Sequence, residues 1–93
     1  MRIKHIECSR EVADKIESKH GIRLVEVEEV LRSKTAHLRK TAGIYEQYGR
    51  SYEGRYLFVV FRNQGGGTVR IITARDMTIR ERRLFQQAKT RKG

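Results

Sequence analysis

The chain reads as an α+β protein. A small antiparallel sheet of three to four strands is expected, with two helices before it and one after it. Three observations predict this class. First, Tyr56, Leu57, Phe58, Val59, Val60 and Phe61 form an unbroken apolar run. Such a run suits a central strand covered on both sides, with Leu57, Val59 and Phe61 on one face and Tyr56, Phe58 and Val60 on the other. Second, a glycine-rich connection, Gly65, Gly66 and Gly67, leads into the β-branched stretch from Val69 to Arg75. Glycine permits the positive φ angles of a tight hairpin, so this stretch is expected to pair back antiparallel. Third, apolar residues recur at helical spacing before the sheet and again after Met77.

Each element has local reasons. Ile3 and Ile6 fall in a short polar-flanked segment, either an edge strand or an extended arm. Ser9 is a candidate N-cap, Val12, Ala13 and Ile16 keep helical spacing, and Gly21 after His20 supplies a C-cap. Leu24, Val27, Val30 and Leu31 share one face of a second helix, and Glu26, Glu28 and Glu29 are expected to face water or a partner. From about Lys34 the period changes: residues 35–40 suit a first strand and residues 44–48 a second. The last helix begins at Thr78, where Thr78 and Glu81 stand at capping-box spacing. Met77, Leu84, Phe85 and Ala88 form its docking stripe. Arg80, Arg83 and Gln87 flank one side of that stripe, and Arg82, Gln86 and Lys89 flank the other.

The 93 residues suffice for one domain, 1–93, with a modest core. No apolar run approaches the roughly 18 residues that suggest a membrane span. Residues 1–9 alternate charge with single apolar residues, so no export signal is expected. A single Cys8 excludes an intrachain disulfide, and a cytoplasmic location is expected. The net charge is +10, and its distribution is uneven. Residues 1–31 carry six Lys/Arg and seven Asp/Glu, a net of −1, while residues 32–93 carry fifteen and four, a net of +11. A one-sided excess suits an anionic polymer as partner.

The sequence narrows the chemistry. Three His and one Cys lack metal-ligand spacing, and neither a metal nor a cofactor is expected. The three glycines lie between strands rather than before a helix, which argues against a nucleotide cradle. What remains is arginine. Arg75 ends the last strand and is expected on the same face as Thr73, with Arg70 on the opposite face. Arg50 lies between the second strand and the apolar one, near Tyr45, Tyr48, Tyr52 and Tyr56. Arg grips phosphate through two parallel hydrogen bonds, and Tyr stacks on a base or bonds a phosphate. Arg70, Tyr48, Arg82 and Lys89 are candidate RNA contacts. Such a set suits RNA cleavage without a metal: the 2′-hydroxyl attacks phosphorus while guanidinium groups stabilise the crowded phosphate. His20, His37, Glu46 and Tyr48 are the acid and base candidates. Tyr56 reads as core.

Four pieces of the chain resemble the BrnT-type toxins of type II toxin–antitoxin pairs, within the RelE-like ribonuclease group. Lys19-His20-Gly21-Ile22 is similar to the turn between that family's first two helices. Tyr48-Gly49-Arg50-Ser51 with Gly54-Arg55-Tyr56-Leu57-Phe58-Val59-Val60-Phe61 is similar to its glycine-arginine turn and central strand. Arg70-Ile71-Ile72-Thr73-Ala74-Arg75 resembles its last strand, with Thr73 in place of Ser, and Thr78-Ile79-Arg80-Glu81-Arg82-Arg83 the start of its last helix. The segment Ile3-Lys4-His5-Ile6-Glu7 departs from the family's tryptophan-aspartate opening, and residues 35–44 from its acidic stretch. The resemblance implies a RelE-like fold, an RNA-cleaving toxin that slows translation, and a DNA-binding antitoxin as partner in a hetero-oligomer. It carries His20, Arg50, Arg75, Arg80 and Arg83 over as a catalytic group. The alternative is a basic nucleic-acid-binding or antitoxin-interaction module without activity.

Overall fold

A computed structural model describes residues 3–33 and 37–91. Among these, the elements in order are β1 (His5–Glu7), α1 (Arg10–His20), α2 (Leu24–Arg32), β2 (His37–Thr41), β3 (Ile44–Arg50), β4 (Tyr56–Gly65), β5 (Thr68–Asp76) and α3 (Ile79–Arg91). The start of the expected first strand, residues 35–36, lies outside the described residues. The helix ends follow from local chemistry. The Ser9 hydroxyl accepts from the Val12 N–H at 3.1 Å, and Gly21 closes α1 at φ 64°, a left-handed turn that suits glycine. At α3 the Thr78 hydroxyl accepts from the Glu81 N–H and the Glu81 carboxylate accepts from the Thr78 N–H, completing the capping box. Gly66 and Gly67, both at positive φ, turn β4 into β5.

The sheet is larger than expected and mixed, with strand order β1-β5-β4-β3-β2. β2 to β5 are antiparallel neighbours, but β1 lies parallel to β5, Ile6 opposite Val69. Of the two readings of the Ile3–Ile6 segment, an edge strand forms, over His5–Glu7. The Lys4 and His5 N–H groups both donate to the Gly67 carbonyl, and Ile6 packs on the core. That pairing joins residues some sixty positions apart, which no local pattern announces.

β4 is covered on both faces, as its two apolar faces require. On one, Leu57, Val59 and Phe61 pack with Val69, Ile71 and Ala74 of β5 against Ile16 of α1 and Val27, Val30 and Leu31 of α2. Gln47 reaches into this layer and donates to the Val30 carbonyl at 2.9 Å, which also accepts from the Ser33 N–H at the end of α2. Glu26, expected to face water or a partner, is only 6% exposed and takes the second course. Its carboxylate accepts from the Arg23 N–H and lies 3.6 Å from Arg55, and these two partners make its burial tolerable. On the other face Phe58 packs with Met77 and Phe85, and α3 covers that cluster. The expected stripe is corrected at Leu84, which is 57% exposed, while Phe85 beside it is buried.

A bulge corrects the facing of β5. Phe61 pairs with Ile71 but Val60 pairs with Thr73, so Ile72 is an extra residue. Alternation therefore slips by one. Arg62 stands opposite Arg70, Val60 opposite Thr73 and Phe58 opposite Arg75. Arg70, Thr73 and Arg75 share the α3 face, whereas strict alternation separated Arg70 from the other two.

Candidate active site

The α3 side of the sheet carries the cationic residues. Register alone places Arg50 beside Tyr56, Tyr48 beside Phe58, and Arg39 beside Glu46 on this face. The β3–β4 turn is tight: Ser51 N–H donates to the Arg55 carbonyl, and the Ser51 hydroxyl accepts from the Arg55 N–H. Gly54 sits in that turn at φ 93° and donates its N–H to the Ser51 carbonyl. Arg50 lies directly over it, with Nε donating to the Gly54 carbonyl at 3.3 Å. A Cβ on Gly54 would stand 2.7 Å from Arg50 Nη2, so only glycine leaves the guanidinium in place.

Tyr56 is the hub. The Arg50 guanidinium lies 4.7 Å from its ring centre and that of Arg82 4.4 Å. Phe85 meets the ring edge-on at 6.0 Å. Gln86 Nε2 donates to the phenol oxygen at 2.8 Å. The Gln86 hydrogen bond, with Arg50 and Arg82 adding positive charge, draws the Tyr56 hydroxyl below the usual phenol range. Beside the ring is an open groove of about 360 Å³ lined by Gly54, Arg55, Tyr56, Asp76, Met77 and Arg82.

Arg55 forms the groove's back wall. It makes a two-pronged pair with Asp76, Nε–Oδ1 at 2.8 Å and Nη2–Oδ2 at 3.0 Å. It also donates to the carbonyls of His20 and Gly21. One side chain thus ties the α1–α2 turn to the end of β5. Arg55, with a smaller contribution from the nearby His20 charge, holds the Asp76 carboxyl below its ordinary range.

Arg75 is engaged differently. It donates to both Glu81 oxygens, at 2.8 and 3.0 Å, and to the Asp76 carbonyl, while its guanidinium covers the Phe58 ring at 4.2 Å. These bonds bring the Glu81 carboxyl down to about 2. Tyr48, tilted on Phe58 at 4.8 Å, moves the other way from Tyr56: burial first, then the Glu81 and Glu46 charges, push its hydroxyl up. Burial likewise pushes the Cys8 thiol up, which leaves it a partly buried core neighbour rather than a nucleophile.

This fold of three helices on a five-stranded mixed sheet is similar to a solved structure. The crystal structure of the Brucella abortus ribonuclease toxin BrnT matches with a TM-score of 0.67 at 18% identity, over 81% of this chain and 99% of that one. The fold is BrnT-like. No protein-family model matches the sequence, and no curated protein does.

Within this BrnT-like fold the expected residues separate into groups. Arg50 and Arg82 converge on Tyr56. Arg75 and Tyr48 lie together around Phe58. His20 stands behind Arg55, to which it offers its backbone carbonyl. Arg70 is exposed on the open part of the sheet, opposite Arg62. Arg80 and Arg83 are exposed on α3. At about 100° per residue they fall roughly 140–160° around the helix from the docked Phe85, away from Tyr56 and Arg75. The side chain of Lys89 lies outside the described residues. Three members of the cluster were not singled out by the sequence: Tyr56, read as core, and Arg55 and Gln86. The signal for Arg55 was its position two residues before Leu57, which pairs with Asp76. Tyr56 was concealed by its place in an apolar run.

Proposed function

We propose that the protein is a metal-independent endoribonuclease toxin that slows translation and is held in check by a co-expressed, DNA-binding antitoxin. RNA is cut by attack of its own 2′-hydroxyl on the adjacent phosphate, with guanidinium groups neutralising the charge that builds on the phosphate oxygens. The observation that carries this reading is the convergence of Arg50 and Arg82 on Tyr56 beside an open groove. The likeness in fold to a ribonuclease toxin supports it. Among the expected residues, Arg50 and Arg82 are the phosphate-stabilising pair, and Arg75 orients the start of α3 through Glu81. Arg70 lies on the approach for RNA, whereas His20 stands behind Arg55 and Arg80 and Arg83 lie on the outer side of α3, away from that pair.

Incubating the purified protein with RNA in the presence of EDTA tests the reading. Cleavage is expected, together with arrested growth when the chain is expressed without its antitoxin. Intact RNA combined with undiminished growth would sink it. Arg39, Arg62 and Arg70, exposed on the open sheet, favour a second reading, a module that binds nucleic acid without cutting it. RNA that is bound tightly and recovered whole would select that alternative.

A further inference from the structure

We propose that the Tyr56 hydroxyl takes the 2′ proton of the RNA while Arg50 and Arg82 grip the scissile phosphate; this assignment deepens the ribonuclease reading and rests on it. Tyr56 is held firmly. It is the first residue of β4, paired with Arg50 across the sheet, and its carbonyl accepts from the Met77 N–H at 3.1 Å. A reacting group on a strand is better fixed than one on a loop. Two guanidinium groups and Phe85 already surround the ring, so it offers no bare platform for stacking a base. The working end is the oxygen, and Gln86 donates to it. A donor there favours the phenolate over the phenol.

The charges around that oxygen come from every element packed against it. β3 supplies Arg50, α3 supplies Arg82 and Gln86, and Asp76 and Arg55 line the same groove. The Asp76 charge is already matched by its two-pronged pair with Arg55. Tyr48, on the same face, sits among Glu46 and Glu81 and keeps its proton, so the two tyrosines are driven apart by their surroundings. Among the described residues, the hydrogen bond of the Arg50 guanidinium is through Nε, which leaves both Nη groups for an anion beside the Tyr56 ring.

The step balances. The Tyr56 phenolate takes the 2′ hydrogen as the 2′ oxygen bonds to phosphorus. The bond from phosphorus to the 5′ oxygen breaks, its electron pair stays on that oxygen, and water protonates it. The products are a 2′,3′-cyclic phosphate and a 5′-hydroxyl end. The hydroxide left by the water removes the proton from Tyr56, so no co-reactant is consumed.

Tyr56→Phe keeps the ring and removes only the reacting oxygen. Parent and variant are compared on an RNA oligonucleotide and on its 2′-O-methyl copy, which binds but has no 2′ proton to give. The variant's kcat should fall by about 100-fold or more. KM and affinity for the 2′-O-methyl copy should stay within about threefold. The parent's log kcat should climb with pH and level off below the ordinary phenol value of about 10. That limb should vanish in the variant and move to higher pH in Gln86→Met. A variant that cuts at the parent's rate, or loses activity through KM alone, overturns the assignment and leaves the ribonuclease reading standing. A parent that cuts no RNA overturns both.

Discussion

Arg75 and Glu81 form an ion pair whose value depends on pH, and the sign follows from the direction of the shift. The Glu81 carboxyl titrates at about 2 in the folded protein against an ordinary 4.5. The pair's contribution is therefore complete above about pH 4.5 and is lost as the pH falls through about 2. Arg75 is 36% exposed, so solvent screening limits the contribution to about 1 kcal/mol or less. Arg75→Ala should be less stable than the parent by that amount near pH 7, with the gap closing towards pH 2. Thermal unfolding at both pH values checks this. A gap that persists in acid would mean that Arg75 acts through its packing on Phe58 instead. Gly54 makes a second prediction at this scale. Gly54→Ala meets both a positive φ and Arg50 Nη2, so it should cost more than about 1 kcal/mol and pull the guanidinium off Tyr56. In the ribonuclease reading its activity should fall with that of Arg50→Ala; activity equal to the parent's would detach Arg50 from the chemistry.

The elements whose signals are local were legible in the sequence. Ser9, Gly21 and the Thr78–Glu81 box mark helix ends through bonds that span three or four residues. The two-sided apolar run of β4 likewise announced a covered central strand. Three features escaped because the decisive contact is distant or degenerate. β1 depends on pairing with β5, far along the chain. The bulge at Ile72 is hidden because Ile71 and Ile72 are the same residue type, so the sequence does not say which one is extra. The rotation of α3 is set by Arg75: Glu81 lies one turn before Phe85, and pinning Glu81 to β5 turns Phe85 inward and Leu84 outward. The Tyr56 cluster escaped for the same reason, since it joins β3, β4 and α3. The helix rotation is testable by calorimetry. Phe85→Ala should cost about 3–5 kcal/mol, as for a large buried aromatic. Leu84→Ala, at an exposed position, should stay within about 0.5 kcal/mol. Equal losses would mean that α3 docks by a different face.

Across the whole molecule, charge and architecture divide along the same line. The near-neutral residues 1–31 supply α1 and almost all of α2, which cover one face of the sheet, and residues 32–93 supply β2 to β5, the covering α3 of the other face and all of the positive excess. Beyond the part that α3 covers, Arg62 and Arg70 stand directly opposite each other on exposed positions. Like charges in that relation cost about 0.2–1 kcal/mol. Folding gains nothing from this juxtaposition, whereas a polyanion lying across the sheet would neutralise it. Stability and binding should therefore respond to Arg62→Gln with opposite signs. The variant without RNA should melt at or above the parent's temperature. Its affinity for single-stranded RNA should fall, and the slope of log affinity against log salt should become shallower by about 0.7, as expected for one lost phosphate contact. Titrations at several salt concentrations, paired with melting curves, measure both. A variant that melts lower and binds as the parent does would make Arg62 a structural residue and would move the path of the RNA off the open sheet.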